Sequence, residues 1–273
     1  MPTNLQHLSL PALTDAVEFN LQELSTLWGH AIGAEFSHEP EATWFISGVP
    51  HWTYNMVTKT LFTAETPPER IDAILTRLGE YKCSMYWPVD SSSSSASLKK
   101  LEEYGWVGGG ITVLARDLQT LGEMPALPEG VTVQIVETKD VLEQSMRVLL
   151  SGYDGLPAFL YDRAAEVLSH HHFVAPPGVY YYLGRLNGEP VTTALMFLGG
   201  GIASIFNTAT LPSARRHGVA SAVVRECLLK ARAMGYHVLA LQPTEMGDPV
   251  YRRLGFEEGG KVNFYYLLES ANK

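Results

Sequence analysis

The 273-residue chain has few cysteines and no long apolar run, and each shortage excludes a class of protein. Its two cysteines, Cys83 and Cys227, lie far apart, so the sequence favours neither a disulfide scaffold nor a zinc site. No stretch approaches the roughly 20 uninterrupted apolar residues that cross a bilayer. Residues 1–10 lack the charged and apolar regions of a signal peptide. We therefore expect a cytoplasmic protein with no membrane partner and no metal cofactor.

Positive charge is also scarce. Lys and Arg number 20 against 29 Asp and Glu, which gives a net charge of −9. Because binding to a phosphate backbone depends on basic residues, this balance argues against nucleic acid as a partner. At 46% hydrophobic and 18% charged residues, the composition is that of a globular protein. The length suits two domains of ordinary size.

A linker is predicted near the middle of the chain. Residues 122–130, GEMPALPEG, are rich in Pro and Gly and have no apolar period. The boundary is therefore expected between residues 118 and 130. It would separate a first domain, residues 1–120, from a second, residues 131–273.

The second half has the pattern of a mixed α/β domain. Asn187-Gly188 between two apolar runs is a strong hairpin signal, and Gly235 ends a helix whose apolar residues recur every three or four positions. Strands are predicted at residues 131–136, 180–186, 191–197, 202–210, 238–241 and 263–268. Helices are predicted at 138–150, at 219–234 and at 248–254, and Gly152 is expected to stop the first of them.

The first half resembles a degenerate version of the second. Residues 81–88 and 237–243 both look like a strand that ends in proline. The sequence LEEYGW at residues 101–106 corresponds to YRRLGF at 251–256, with an offset of 150 residues. These pairs predict a tandem duplication.

The segment between residues 202–210 and the following helix has the features of an anion site. It reads Arg215, Arg216, His217, Gly218, Val219, Ala220. A helix N-terminus presents unpaired N–H groups and the positive end of the dipole, and glycine lets the backbone approach an anion closely. An ordinary glycine turn with a solvated arginine pair is the alternative for this loop taken alone.

This Arg-x-x-Gly-x-Ala loop, followed further along by YRRLGF at 251–256, resembles the GNAT superfamily of N-acetyltransferases. The resemblance covers most of residues 131–268. It implies a mixed, mostly antiparallel sheet flanked by helices, which splays between residues 202–210 and 238–241, and acetyl-CoA as co-substrate in the splay. For the whole chain it implies two tandem GNAT-like domains, of which the first has degenerated.

The resemblance also assigns roles to individual residues. The backbones of Thr208, Ala209 and Thr210 would pair with the pantetheine and the thioester carbonyl. The pyrophosphate would be held by a run of seven positions: Arg215, Arg216, His217, Gly218, Val219, Ala220 and Ser221. The first half has no equivalent loop before its helix near residues 69–78, so we expect it not to bind CoA.

Tyr251 lies where the family often places the general acid that protonates the departing CoA thiolate. The alternative is a tyrosine that only packs between helix and sheet. No general base is assigned, because residues 202–210 contain no carboxylate; Glu245, Asp154 and His217 are conceivable. Three successive histidines, 170–172, point in different directions on a helix and do not form a metal site.

The expected function is acetyl transfer from acetyl-CoA to an amine of a small molecule. A non-catalytic acyl-CoA-binding or regulatory module is one alternative, and a protein-modifying acetyltransferase is another. The acidic charge suits a cationic acceptor such as a polyamine or an aminoglycoside-like compound. The acceptor, the base, the contribution of residues 48–52 to the acceptor pocket and the oligomeric state, including a homodimer, stay open at this stage.

Overall fold

The computed structural model describes residues 10–49, 51, 54–63, 65–89, 95–152 and 177–268. Its contacts group the chain into two compact units. The C-terminal unit consists of Met1–Asn20 with Thr112–Gly260, and the N-terminal unit of Leu21–Ile111 with Lys261–Lys273. Each unit takes one short segment from the other half of the chain, and the domain boundary at residues 118–130 stays a prediction.

The N-terminal unit begins with the second half of helix α1 (Leu10–Ala31). Its other elements are β1 (Glu35–His38), β2 (Ala42–Ile46), β3 (Asn55–Thr60), α2 (Pro68–Glu80), β4 (Met85–Val89), α3 (Ser95–Glu103), the start of β5 (Val107–Asp117) and the end of β11 (Glu257–Leu267). The strands are ordered β1-β2-β3-β4-β11. Trp44, Leu78 and Trp87 are among the residues of its buried core.

The C-terminal unit contains the first half of α1 and the remaining elements. These are β6 (Val131–Ile135), α4 (Lys139–Gly152), β7 (Val179–Leu186), β8 (Glu189–Gly199), β9 (Ile202–Thr210), α5 (Val219–Ala233), β10 (Val238–Leu241) and α6 (Asp248–Arg253). With the end of β5, the strand order is β5-β10-β9-β8-β7-β6. A buried core lies between this sheet and α5.

The predicted fold class is confirmed, and the element order shows the duplication. In the described residues, the first copy, α1 to β5, and the second copy, α4 to β11, both have the order helix, three strands, helix, strand, helix, strand. In both copies the described strand pairs are antiparallel except one, which is β3–β4 in the first copy and β9–β10 in the second. A shared order with a parallel pair at the same place is what a tandem duplication produces.

The last strand of each copy pairs with a strand of the other copy. Residues 114–117 of β5 are antiparallel to β10, and residues 263–267 of β11 are antiparallel to β4. A local sequence pattern can indicate a strand, but it does not show which strand pairs with it. The partners of β5 and β11 are fixed by tertiary pairing, and the two copies are thereby interlocked.

Local signals account for most of the element boundaries in the second copy. Asn187 and Gly188 have φ of 51° and 88°, as the tight turn between β7 and β8 requires, and Gly235 has φ of 85° after α5. Gly152 differs from expectation, because it lies within α4 rather than beyond its end. A Cβ at Gly152 would lie 2.8 Å from the Cβ of Ala209, so glycine is required for the close approach of α4 to β9. None of the described helices is long and apolar enough to span a membrane.

Candidate active site

The candidate site lies where strand β9 extends beyond the end of its parallel neighbour, β10. The two strands pair from Leu239 opposite Ala203 to Leu241 opposite Ile205. There β10 ends, whereas β9 continues to Thr210. Beyond Ile205, this edge of β9 therefore has backbone N–H and C=O groups that β10 does not pair, and an extended ligand can bind them as an added strand would.

A β-bulge interrupts β9 on this free stretch. Phe206 is opposite Leu195 and Ala209 is opposite Thr193, so Asn207 and Thr208 together face one residue of β8. Asn207 has φ of 52°, in the left-handed region that bulges and turns use. The Thr208 Oγ1 atom is buried and has no hydrogen-bond partner. An unpartnered buried hydroxyl at a bulge, beside an unpaired strand edge, indicates a place prepared for a polar ligand.

The loop that follows β9 has two residues in the left-handed region before α5 begins. After a 3-10 turn at Pro212–Ala214, Arg216 has φ of 68° and Gly218 has φ of 78°. The first backbone bond of α5 runs from the Ala222 N–H to the Gly218 carbonyl, at 2.9 Å. Among the described residues, none bonds the backbone N–H groups of residues 216–221. Amides of this kind, at the positive end of a helix, form an anion site.

The two arginines of the loop have different surroundings. The Arg215 guanidinium donates to the carbonyls of Thr210 and Gly152, both at 3.3 Å, and so ties the loop to the ends of β9 and α4. Arg216 and His217 are exposed. The His217 Nδ1 atom lies 3.1 Å from the Arg215 carbonyl. Arg215 therefore shapes the loop, and Arg216 has the guanidinium that is accessible to an anion.

Packing against the sheet fixes the position of the first turn of α5. Val219 is fully buried, whereas Ala220 and Ser221 are half-buried. A Cβ at Gly184 of β7 would lie 2.9 Å from Val219 Cγ1 and 2.8 Å from Val223 Cγ2, so the absence of a side chain there lets α5 lie close to the sheet. The amides of the first turn are thus held in place by the Val219 anchor.

Tyr251 lies on α6 with its ring in the buried core. It is 8% exposed, and its ring meets that of Phe256 edge-on with centroids 5.8 Å apart. The same core includes Leu241, the last residue of β10. The ring is therefore fixed by packing in the core that also contains β10, and the role of its hydroxyl stays a prediction.

The candidate bases are dispersed or lie outside the described part of the chain. Glu245 and His217 are exposed, and Asp154 and His170–172 lie outside the described residues. Cys227 is fully buried on α5, and this burial raises the pKa of its thiol, so it is not an acyl acceptor. Among the described side chains, no group of three or more His, Cys, Asp or Glu could hold a metal ion.

Sequence reasoning missed the contribution of the N-terminal helix. Residues 10–20 of α1 belong to the C-terminal unit, where Glu18 is 7% exposed and Asn20 is 0% exposed. Buried polar residues on an otherwise amphipathic helix are the one signal that could have indicated them. The sequence around residues 10–20 contains no signal that shows which sheet they pack against.

Comparisons with known proteins identify similar sequences and folds. Residues 146–256 match the model of the Acetyltransferase (GNAT) family. A GCN5-related N-acetyltransferase from Kribbella flavida is similar in structure, with a TM-score of 0.64, 17% identity, and coverage of 90% of this chain and 95% of that chain. A GCN5-related N-acetyltransferase from Sphaerobacter thermophilus has a TM-score of 0.58 at 15% identity, covering 96% of this chain and 95% of that one.

A tandem GNAT protein from the clavulanic acid biosynthesis pathway is also similar in structure. Its TM-score is 0.56 at 14% identity, with coverage of 97% of this chain and 94% of that chain. No curated protein matches the sequence. The likeness therefore extends over both copies at the level of the fold, while the family match lies within the second copy, which holds the splayed strands and the open amides. The chain is similar to the GNAT family of acetyltransferases through residues 146–256, which match the model of that family.

Proposed function

We propose that the protein is an N-acetyltransferase that moves the acetyl group of acetyl-CoA to an amine of a small molecule. One observation carries this proposal: the unpartnered amides of residues 216–221 directly follow the unpaired edge of β9. A strand edge that ends in an anion site suits a ligand with an amide-containing arm and a pyrophosphate, which are the chemical parts of CoA.

Each part of the site has a proposed task. The backbones of Thr208, Ala209 and Thr210 bind the pantetheine arm and the thioester carbonyl. The amides from Arg216 to Ser221 bind the pyrophosphate, with Gly218 giving the turn and Arg216 adding charge. Arg215 holds the loop in shape through the Thr210 and Gly152 carbonyls.

The reaction is a direct transfer. The lone pair of a neutral amine attacks the thioester carbonyl carbon, and a C–N bond forms. The C–S bond then breaks, the Tyr251 hydroxyl donates its proton to the sulfur, and the nitrogen releases a proton that restores the tyrosine through solvent. The products are an N-acetyl amide and CoA with a free thiol. A donor that acts as charge develops on sulfur lowers the barrier of this step.

Two other functions are distinguished by their products. A non-catalytic acyl-CoA-binding module binds acetyl-CoA without releasing thiol in the presence of any amine. A protein-modifying enzyme releases thiol with lysine-containing peptides and not with small amines. The net charge of −9 favours a cationic acceptor but fits both small amines and peptides.

The test is a thiol-release assay with acetyl-CoA against a panel of primary amines, polyamines, aminoglycosides and lysine peptides. We expect amine-dependent thiol release with the acetylated amine detected by mass spectrometry. Acetyl-CoA binding measured by calorimetry, without any transfer in the panel, would contradict the proposed function and favour the binding module.

A further inference from the structure

The segment between β5 and β6, which includes the predicted linker, runs along α5 in the opposite direction to the helix. The Arg232 Nη1 atom, near the end of α5, donates to the Leu121 carbonyl at 2.6 Å. The Arg225 Nε atom, near the middle of α5, donates to the Pro125 carbonyl at 2.9 Å. We call residues 121–128 the strap. The strap and α5 belong to the same unit, the C-terminal one.

Leucine and methionine recur at every third position of the strap, and their side chains pack into the C-terminal unit. Leu121 is buried in the main core, and Met124 packs against the same core. Leu127 packs against a smaller core that contains Ala214, just before the open amides, and Val219, in the first turn of α5. The strap therefore contributes to the small core that supports the amide loop.

The end of the strap touches the loop itself. Pro128 Cγ lies 3.0 Å from the position that a Cβ would occupy at Gly218, so the proline ring lies against the Gly218 backbone. The Pro128 carbonyl accepts the Val131 N–H at 3.1 Å. The Gly130 carbonyl accepts the Asn187 N–H, from the turn between β7 and β8, at 2.7 Å. Two backbone hydrogen bonds thus fix the chain where the ring meets the loop.

The amide loop has few interactions of its own that fix its shape. Among the described residues, none bonds the backbone N–H groups of residues 216–221, and both Arg216 and Gly218 have left-handed φ angles. Donors that must be ordered when a ligand binds cost binding free energy, whereas donors already in place do not. The Arg215 hydrogen bonds fix the start of the loop, and the strap supports it at Gly218.

We propose that the strap is a positioning element for acetyl-CoA, in which Leu127 and Pro128 hold the amide loop in the arrangement that binds the pyrophosphate. This role rests on the proposed function, because it concerns the loop assigned to the pyrophosphate. By linkage, a strap that strengthens acetyl-CoA binding is itself stabilised when acetyl-CoA binds. The competing role is ordinary packing, in which the strap stabilises the unit and affects all ligands alike.

The experiment compares acetyl-CoA with S-acetylpantetheine, which has the thioester arm but no pyrophosphate. Both are titrated by calorimetry into the wild type and into the Leu127→Ala and Pro128→Ala variants. We expect the Kd for acetyl-CoA to rise at least about 5-fold in each variant, the low end of coupling between two sites in a protein. The Kd for S-acetylpantetheine should not change, because this ligand has no group for the amide loop to bind.

The matched control is Leu198→Ala. Leu198 is also half-buried and packs against the main core, but it is opposite Ala203, at the end of β9 away from the loop. This variant should lose stability and keep the Kd for acetyl-CoA. Leu127→Met, which nearly conserves the side-chain volume, should keep the affinity of the wild type.

A second measurement uses two exposed glutamates, Glu123 within the strap and Glu129 directly after it. A glutamate-specific protease that cuts after them reports how often the strap opens, because cleavage follows the population of the opened state. Acetyl-CoA should slow both cuts in the wild type, as resolved by mass spectrometry. S-acetylpantetheine should not slow them.

The outcomes separate the strap from the proposed function. An unchanged Kd for acetyl-CoA in both variants, with normal binding by the wild type, rejects the role of the strap alone. An equal loss of affinity for both ligands assigns Leu127 and Pro128 to packing. Acetyl-CoA binding by the wild type without transfer to any amine contradicts the proposed function alone, since the strap is tested by binding. A wild type that does not bind acetyl-CoA rejects both.

Discussion

Helices α2 and α5 occupy the same place in the two copies, after the third strand, yet they begin in opposite ways. Helix α5 begins at the left-handed Gly218, has no acidic residue in its first turn and leaves its amides open. Helix α2 is preceded by Pro67 and begins with Pro68, neither of which has an N–H, and Glu69 is in its first turn. Negative charge and missing donors at a helix N-terminus exclude a phosphate.

The N-terminus of α2 is also occupied by other interactions. The Arg70 N–H donates to the Pro67 carbonyl at 2.9 Å, and the Arg70 guanidinium pairs with Glu41 at 2.7 Å and with Glu39 at 3.5 Å. The same topology therefore leaves backbone amides open in one copy and carries an ion-pair cluster in the other. We expect one acetyl-CoA per chain.

The largest effect should come from separating the copies. A fragment of residues 131–273 loses the β5 residues that pair with β10, the core residues Leu114 and Leu118, and the β4 partner of β11. We expect it not to unfold cooperatively in thermal melts followed by circular dichroism. As a control, the full chain cleaved at a protease site placed within residues 122–130 should keep both pieces together. A monomeric fragment with the melting temperature of the full chain would show that the exchanged strands are dispensable.

The next largest effect is expected from a change in the loop at residues 215–220. Gly218→Val places a branched side chain at φ of 78°, with the Cβ 3.0 Å from Pro128 Cγ, and should abolish acetyl-CoA binding in calorimetry. The wild type should bind with a stoichiometry near one. Gly235→Val is the matched control at φ of 85° at the other end of α5, and it should lose comparable stability while binding normally. A stoichiometry near two would mean that the first copy also binds CoA.

A smaller loss is expected for Tyr251→Phe, which keeps the ring packed against Phe256 and removes only the hydroxyl. If Tyr251 is the acid, kcat should fall by about 10²- to 10⁴-fold, with acetyl-CoA affinity unchanged. Tyr236→Phe, at a half-buried tyrosine against the same core, should leave kcat unaffected. A kcat for Tyr251→Phe equal to that of the wild type in single-turnover experiments would assign the residue to packing.

The smallest effect should come from Arg70→Met in the N-terminal unit. The hydrogen bond from Arg70 lowers the pKa of Glu41, and a lowered carboxyl pKa stabilises the folded state above the unfolded pKa of about 4.5. The variant should melt slightly below the wild type at pH 7, and the difference should vanish as the pH falls through the Glu41 pKa. The exposed Lys59→Met serves as the control for removal of one positive charge. A difference that persists at pH 2 would assign the effect to packing of the Arg70 stem.

Much of the second copy is predictable from sequence because its signals are local. Strands β9 and β10 have the predicted ends, and Gly218 and Gly235 mark the two ends of α5. An alternating or helical pattern, with a glycine where φ is positive, is contained within a few residues. The sequence motif likewise locates the loop at residues 215–220.

The sequence by itself indicated the elements of the second copy, the duplication, the loop at residues 215–220 and the resemblance to GNAT acetyltransferases. Only the tertiary structure decided which strands pair across the copies, where β9 bulges, that Arg215 ties the loop to α4, and that Asn20 meets Gly199 across 179 positions of sequence. The physical reason is the distance along the sequence over which each kind of interaction acts. Turn chemistry and periodicity act between near neighbours, whereas strand partners and unpartnered buried atoms depend on contacts that form only when distant segments pack together.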